Sequence, residues 1–219
     1  MRVRDLDGIE RETGPAPDLA IIWLHGLGAD ATDFLPIAGE LELPADVRFV
    51  FPNAPMRPVT INGGYVMRAW YDIAGFGPEA PEDTDGLAES VAIVRALIER
   101  EASRGIARER IVLAGFSQGG AVVLHAGLTA REPIGGIVGL STYLPAARLL
   151  DDGIAGGVPV MLAHGTADPV IPIALAERSA RFLTDRGVGV DWSTYPMGHE
   201  VSLEEIRHLS AWLRRFEGR

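Results

Sequence analysis

The chain contains no cysteine. That excludes a disulfide framework, a thiol nucleophile and a thiolate metal site. Positive charge is also scarce: 20 basic residues stand against 30 acidic ones, a formal charge of −10 at pH 7. This balance argues against nucleic acid and anionic membrane surfaces as main partners. No apolar run approaches membrane-spanning length, so stable membrane insertion is not expected. The segment from Met1 to Asp7 lacks the apolar core and cleavage pattern of a secretory signal, which makes the cytoplasm the default location. The H-E-x-x-H pattern is absent, and His164 with Asp168 would make only part of a ligand set. Neither a metal nor a cofactor is expected.

What is present is an ordinary globular composition, 47% hydrophobic and 23% charged over 219 residues. That length accommodates one domain, residues 1–219, with ample material for a core. Apolar runs of strand length alternate with helical patterns. Strands are expected at 19–24, 47–51, 110–114, 134–140, 158–163 and 188–195. Helices are expected at 31–43, 84–104, 173–186 and 200–216, with another from Gly120 to Ala126. In the second helix Leu87, Val91, Val94 and Ile98 form an apolar stripe. The stretch from Asn53 to Asp83 is polar and rich in proline and glycine, and reads as a long loop. Buried strands alternating with helices mean an α/β fold, a mostly parallel sheet with helices on both faces. Sites in such sheets lie outside the carboxyl ends of the strands. Only residues 141 to 157 separate two of the strands where a cap domain could insert, so no cap is expected.

One pentapeptide carries most of the functional signal. Gly115-Phe116-Ser117-Gln118-Gly119 is G-x-S-x-G between a strand pattern and a helix pattern. In that setting it reads as a nucleophile elbow. A serine on so tight a turn takes a strained backbone, and glycines two positions either side remove the clashes. The competing reading is a plain glycine-rich turn whose serine caps the helix.

A serine hydroxyl needs a base, and the base needs an orienting carboxylate. Among five histidines, His125 and His208 lie within helical patterns. His25 and His164 each end a strand. His199 lies in a loop after the last strand, which fits the chain order Ser…Asp…His. Among the aspartates between Ser117 and His199, Asp151 and Asp152 read as solvated loop charges. Asp185 belongs to a helix end and Asp191 to a strand. Asp168 follows a strand end directly and is the expected acid; its ordinary alternative is a turn aspartate bonding its own backbone. An oxyanion needs two donors. The backbone N–H of Gln118 and that of Leu27, in His25-Gly26-Leu27-Gly28, are the expected pair. With backbone donors, side-chain identity at Leu27 and Gln118 is expected to matter little.

At this point the chain resembles the phospholipase/carboxylesterase family, the small α/β-hydrolases that include the acyl-protein thioesterases. The resemblance rests on residues 23–30, 52–55, 57–64, 70–73, 115–120, 140–143, 164–168 and 195–199, including Trp70-Tyr71-Asp72-Ile73 and His164-Gly165-Thr166-Ala167-Asp168. It looks nearer to the bacterial carboxylesterase branch than to the eukaryotic thioesterases. The resemblance implies an α/β-hydrolase fold, Ser117, Asp168 and His199 as catalytic triad, and Leu27 and Gln118 as oxyanion donors. It also sets the 60–76 segment beside an acyl pocket, where Met67, Trp70, Tyr71, Ile73 and Phe76 would suit an apolar chain; each could equally be core.

The expected activity is therefore hydrolysis of small carboxylic esters with short to medium acyl chains. The alternatives are an acyl-protein or acyl-CoA thioesterase or lysophospholipase, and, more remotely, a hydrolase-fold binding protein without turnover. A homodimer is left open.

Overall fold

The computed structural model describes residues 7–43, 46–77, 79–151, 153–154 and 157–217. The signal-peptide reading at 1–6 and the loop charge at Asp152 fall outside them. The chain runs β1 (Gly8–Glu12), β2 (Leu19–Leu24), α1 (Leu35–Glu40), β3 (Val47–Pro52), β4 (Met56–Val59), β5 (Tyr65–Arg68), α2 (Thr84–Ser103) and β6 (Ile111–Phe116). It continues through α3 (Gln118–Leu128), β7 (Gly136–Leu140), β8 (Val160–Gly165), α4 (Ile173–Asp185), β9 (Val190–Tyr195) and α5 (Leu203–Leu213).

Seven strands form one sheet in the order β1-β3-β2-β6-β7-β8-β9. All neighbours are parallel except β1, which runs antiparallel to β3. Because side chains alternate across a strand, each central strand feeds two cores. In β2, Ala20, Ile22 and Leu24 pack on the face covered by α2, α3 and α4. Leu19, Ile21 and Trp23 pack on the face covered by α1 and α5. Each fully buried aliphatic or aromatic side chain contributes roughly 1.5–3 kcal/mol. The stripe Leu87, Val91, Val94 and Ile98 of α2 is buried as its spacing predicts. No cap intervenes between β7 and β8, where the described chain makes only a 3-10 turn at Ala147–Leu150.

Two features depart from the expected elements. Strand β1 was not anticipated, because Gly8-Ile9-Glu10-Arg11-Glu12 has no apolar run. It is an edge strand held by charge: Glu10 and Glu12 meet Arg100, Arg104 and Arg48. These arginines also surround the fully buried Glu101. The stretch 53–83 is not simply a loop. It carries the antiparallel hairpin β4–β5, closed by a 3-10 turn at Thr60–Asn62 and two left-handed glycines, Gly63 and Gly64. Strands of four residues, one containing Pro58, are too short to show a period.

Candidate active site

The site is built at the carboxyl ends of β2, β6 and β8. Strand β6 ends at Phe116 and α3 begins at Gln118, leaving Ser117 alone to turn the chain. Its backbone sits at φ 53°, ψ −119°, a region that L-residues rarely occupy. The turn closes only because its flanks are glycine. A Cβ on Gly115 would lie 2.5 Å from the Gly119 backbone, and one on Gly119 2.5 Å from the Leu24 carbonyl oxygen. Ser117 N–H donates to the Leu140 carbonyl at 2.9 Å, and the Thr142 hydroxyl donates to the Ser117 carbonyl at 2.7 Å. The Ser117 side chain does not cap α3, so the capping alternative fails. Its Oγ lies 3.0 Å from Nε2 of His199.

His199 Nδ1 lies 2.7 Å from Oδ2 of Asp168. With Nδ1–H donating to the carboxylate, Nε2 is left to accept the serine proton. Phe116 packs against the imidazole, ring centroids 4.8 Å apart. The Asp168 side chain is fully buried. Its other oxygen, Oδ1, accepts the N–H groups of Val170 and Ile171 at 2.8 and 2.9 Å. The expected turn bonding and the contact to His199 therefore coexist, one oxygen for each. His164 Nε2 donates to the Ile171 carbonyl at 2.9 Å and lies 3.3 Å from Asp168 Oδ2. Burial lowers the His164 pKa, so this ring is neutral and steadies the carboxylate without adding charge.

The remaining histidines are otherwise engaged. His25 donates from Nδ1 to the Gly26 carbonyl at 2.7 Å and accepts Ala54 N–H on Nε2 at 3.1 Å. His125 bonds the Pro145 carbonyl and His208 the Tyr195 hydroxyl. Asp151 pairs with Arg186. Among the described residues, only His199 reaches Ser117 and Asp168 together.

The loop after β2 is pinned from three sides. Asn53 Oδ1 accepts Ala31 N–H at 2.7 Å, Ala54 bonds the His25 ring, and Gly28 N–H donates to the Arg68 carbonyl at 2.9 Å. The Leu27 N–H beside it has no partner within the described protein. This accounts physically for the Pro52-Asn53-Ala54-Pro55 motif, whose part in the site the sequence alone did not reveal.

Trp70, Tyr71 and Ile73 are buried at 0%, 3% and 6% exposure. Trp70 is therefore core, not the wall of an open acyl pocket. Its indole Nε1 donates to the His25 carbonyl at 2.9 Å and its ring lies 5.3 Å from the His25 ring. Its backbone N–H donates to Gln118 Oε1 at 2.8 Å, while Gln118 Nε2 donates to the Tyr71 carbonyl at 2.6 Å. The Gln118 side chain thus clasps the Trp70–Tyr71 backbone, contrary to the expectation that side-chain identity there matters little. Met67 lies on β5 beside Gly28, a Cβ on which would stand 3.6 Å from the thioether. Phe76 meets Tyr143 edge-on at 5.6 Å. Met67 and Phe76 are partly exposed and stay at the surface of the site. Asp72 ties the hairpin down through the Thr60 N–H and hydroxyl at 2.7 and 2.5 Å.

No group of three His, Asp or Glu residues is arranged to hold a metal ion among the described residues, and no helix among them is long and apolar enough to cross a membrane.

A serine hydroxyl facing an imidazole, itself anchored to a buried carboxylate, is the arrangement of acyl-transfer hydrolases. Residues 9–216 match the family described as phospholipase/carboxylesterase. The chain belongs to that family. Among its curated relatives is acyl-protein thioesterase 1 of Gibberella zeae, 38% identical over 212 residues that cover 89% of each chain. Two solved structures share the α/β-hydrolase fold throughout. SOBER1 of Arabidopsis thaliana superposes with a TM-score of 0.85 at 31% identity, covering 90% of this chain and 98% of that one. Esterase PE8 superposes with a TM-score of 0.80 at 26% identity, covering 96% and 98%. Curated relatives from Gibberella zeae, Yarrowia lipolytica and Mycosarcoma maydis are each named acyl-protein thioesterase 1, and they give no support to the nearness to a bacterial branch expected from the motifs.

Proposed function

We propose that the protein is a serine hydrolase of carboxylic esters with short to medium acyl chains. The observation that carries this reading is the hydrogen-bonded series Ser117 Oγ, His199 and Asp168, at 3.0 and 2.7 Å. Ser117 attacks the ester carbonyl while His199 takes its proton. The tetrahedral oxyanion is held by the N–H groups of Leu27 and Gln118. His199 then protonates the leaving alcohol, which departs and leaves Ser117 acylated. Water, deprotonated by His199, attacks the acyl group and restores the serine. Asp168 keeps the imidazole in the required tautomer and offsets its positive charge.

Thioester cleavage is the second reading, favoured by the names of the fungal relatives. It uses the same parts, since only the leaving group differs. A panel of p-nitrophenyl esters from acetate to palmitate, run beside palmitoyl-CoA, separates the two. Ser117→Ala should lower kcat by roughly 10⁴-fold or more in a folded protein. A fluorophosphonate should label Ser117 alone. Near wild-type turnover in the variant would overturn the mechanism.

A further inference from the structure

The nucleophile turn leans on a second strained turn. Ser141, the first residue after β7, is fully buried and sits at φ 45°, a left-handed conformation that a non-glycine residue seldom takes. It lies between the two residues that hold the Ser117 backbone. Leu140 before it accepts the Ser117 N–H at 2.9 Å, and Thr142 after it donates its hydroxyl to the Ser117 carbonyl at 2.7 Å. Strain of this kind persists only where the surroundings enforce it. Here the Ser141 N–H is anchored to the Ala163 carbonyl of β8 at 2.8 Å. Gly120 leaves room for the Thr142 side chain: a Cβ on Gly120 would stand 2.6 Å from the Thr142 Cβ. That glycine lies one residue beyond the G-x-S-x-G motif, whose own clearances come from Gly115 and Gly119.

The Ser117 carbonyl and the Gln118 N–H belong to one peptide group. A trans peptide is planar, with its C=O and N–H pointing in opposite directions. A bond that fixes the carbonyl therefore also aims the N–H. The carbonyl has two donors, the Thr142 hydroxyl at 2.7 Å and the Ala121 N–H of the first turn of α3 at 3.2 Å. Each draws electron density towards the oxygen, which makes the N–H of the same group a stronger donor. On the opposite side, the Gln118 N–H has no partner within the described protein. Thr142 is itself buried, and the other carbonyl within its reach, that of Tyr143, lies farther off at 3.4 Å. The hydroxyl is thus committed to Ser117.

We propose that Thr142 is a positioning residue for the oxyanion hole: its hydroxyl, placed by the turn at Ser141, orients and polarises the Ser117–Gln118 peptide so that the Gln118 N–H meets the tetrahedral oxygen. The proposal rests on the esterase reading above. Thr142 acts through the peptide and not on the substrate. Its effect belongs to the transition state, because the negative oxygen appears only as Ser117 adds to the carbonyl.

The test compares Thr142→Ser, which keeps the hydroxyl, with Thr142→Val, which keeps the shape, and Thr142→Ala, which keeps neither and is too small to clash. Each is assayed for kcat and KM with p-nitrophenyl butyrate and for inhibition by an alkyl trifluoromethyl ketone. Ser117 Oγ adds to the ketone carbon, its proton passes to His199, and the C=O electron pair becomes the oxyanion. Losing a whole oxyanion donor costs roughly 10²–10³-fold in kcat, so losing its alignment should cost Thr142→Val and Thr142→Ala about 10–100-fold. Their KM should change little, and the ketone's inhibition constant should rise by the same factor as kcat falls. Thr142→Ser should stay close to wild type. If Thr142→Val does not fold, the comparison of serine with alanine decides. Wild-type kcat in Thr142→Ala overturns the proposal. So does a Thr142→Ser variant as slow as Thr142→Ala, which would mean packing and not the hydroxyl, and so does a loss of kcat with ketone inhibition unchanged. Wild-type turnover of the butyrate ester, with fluorophosphonate labelling of Ser117, separates these failures from a failure of the esterase reading; a wild type with neither overturns both.

Discussion

The side-chain amide of Gln118 closes on the backbone of Trp70: its Oε1 accepts the Trp70 N–H at 2.8 Å, and its Nε2 reaches the Tyr71 carbonyl at 2.6 Å. The residue proposed to supply an oxyanion N–H thus also fixes the segment that carries the indole under His25. Gln118→Leu keeps the backbone donor but strands two buried backbone groups. Each costs about 1–3 kcal/mol. We expect urea unfolding to report a loss on the order of 2–4 kcal/mol, together with a lower kcat. A variant with unchanged stability and turnover would show that the clasp is incidental.

Asp168 divides its two oxygens between different tasks, and Asp168→Asn tests that division. The amide oxygen should keep the N–H groups of Val170 and Ile171, since an amide nitrogen cannot accept them. That points the NH₂ group at His199 Nδ1 and forces the imidazole into the wrong tautomer. Turnover should fall roughly 10³–10⁴-fold with the fold retained. Asp151→Asn removes only an exposed pairing with Arg186 and should be nearly silent. A silent Asp168→Asn would move the acid elsewhere.

The parallel strands, the elbow and the three residues of the proposed relay were legible because each depends on local pattern or chain order. Ser117 announces itself through flanking glycines, and Asp168 and His199 through their places after β8 and β9. What was not legible is what the tertiary structure supplies. Strand β1 has no apolar period because ion pairs hold it. The hairpin β4–β5 is too short to show one. Trp70 is fully buried, yet it sits within a long stretch rich in proline and glycine, so its position in the sequence reads equally as core or pocket. The bonds from Asn53 and Ala54 to the loop after β2 join residues more than twenty apart, and no spacing rule announces them.

Glu205 predicts a pH dependence of stability. It stands at the start of α5 in a capping box, accepting Ser202 N–H while its own N–H donates to the Ser202 hydroxyl at 3.2 Å. The side chain is fully buried and its Oε1 has no partner. Burial raises its pKa to about 8 from an ordinary 4.5. The raised value means that the folded state holds a proton the unfolded state has released. Stability contributed by this group is greatest below about 4.5, falls as pH rises towards about 8, and is flat beyond. Glu205→Gln mimics the neutral form and should lack that slope. Its stability relative to wild type should rise by on the order of a few kcal/mol across the window, read by urea unfolding at several pH values. A difference independent of pH would mean that the carboxyl titrates normally.

Trp70 separates a packing role from a substrate-lining one. Fully buried and bonded to the His25 carbonyl, it should govern the loop that carries Leu27 rather than the length of chain the site accepts. Trp70→Ala should cost about 3–5 kcal/mol through cavity formation. Trp70→Phe keeps most of the ring but deletes the Nε1 donor, so it should lose about 1 kcal/mol and lower kcat through a loosened loop. Chain-length preference should stay where the wild type has it. Without a cap between β7 and β8, each buried methylene adds about 0.8 kcal/mol only until the acyl pocket is filled. We therefore expect kcat/KM to peak between acetate and octanoate and to decline by palmitate, with the same optimum in Trp70→Phe. An optimum that moves in Trp70→Phe, at unchanged stability, would return the indole to the acyl pocket.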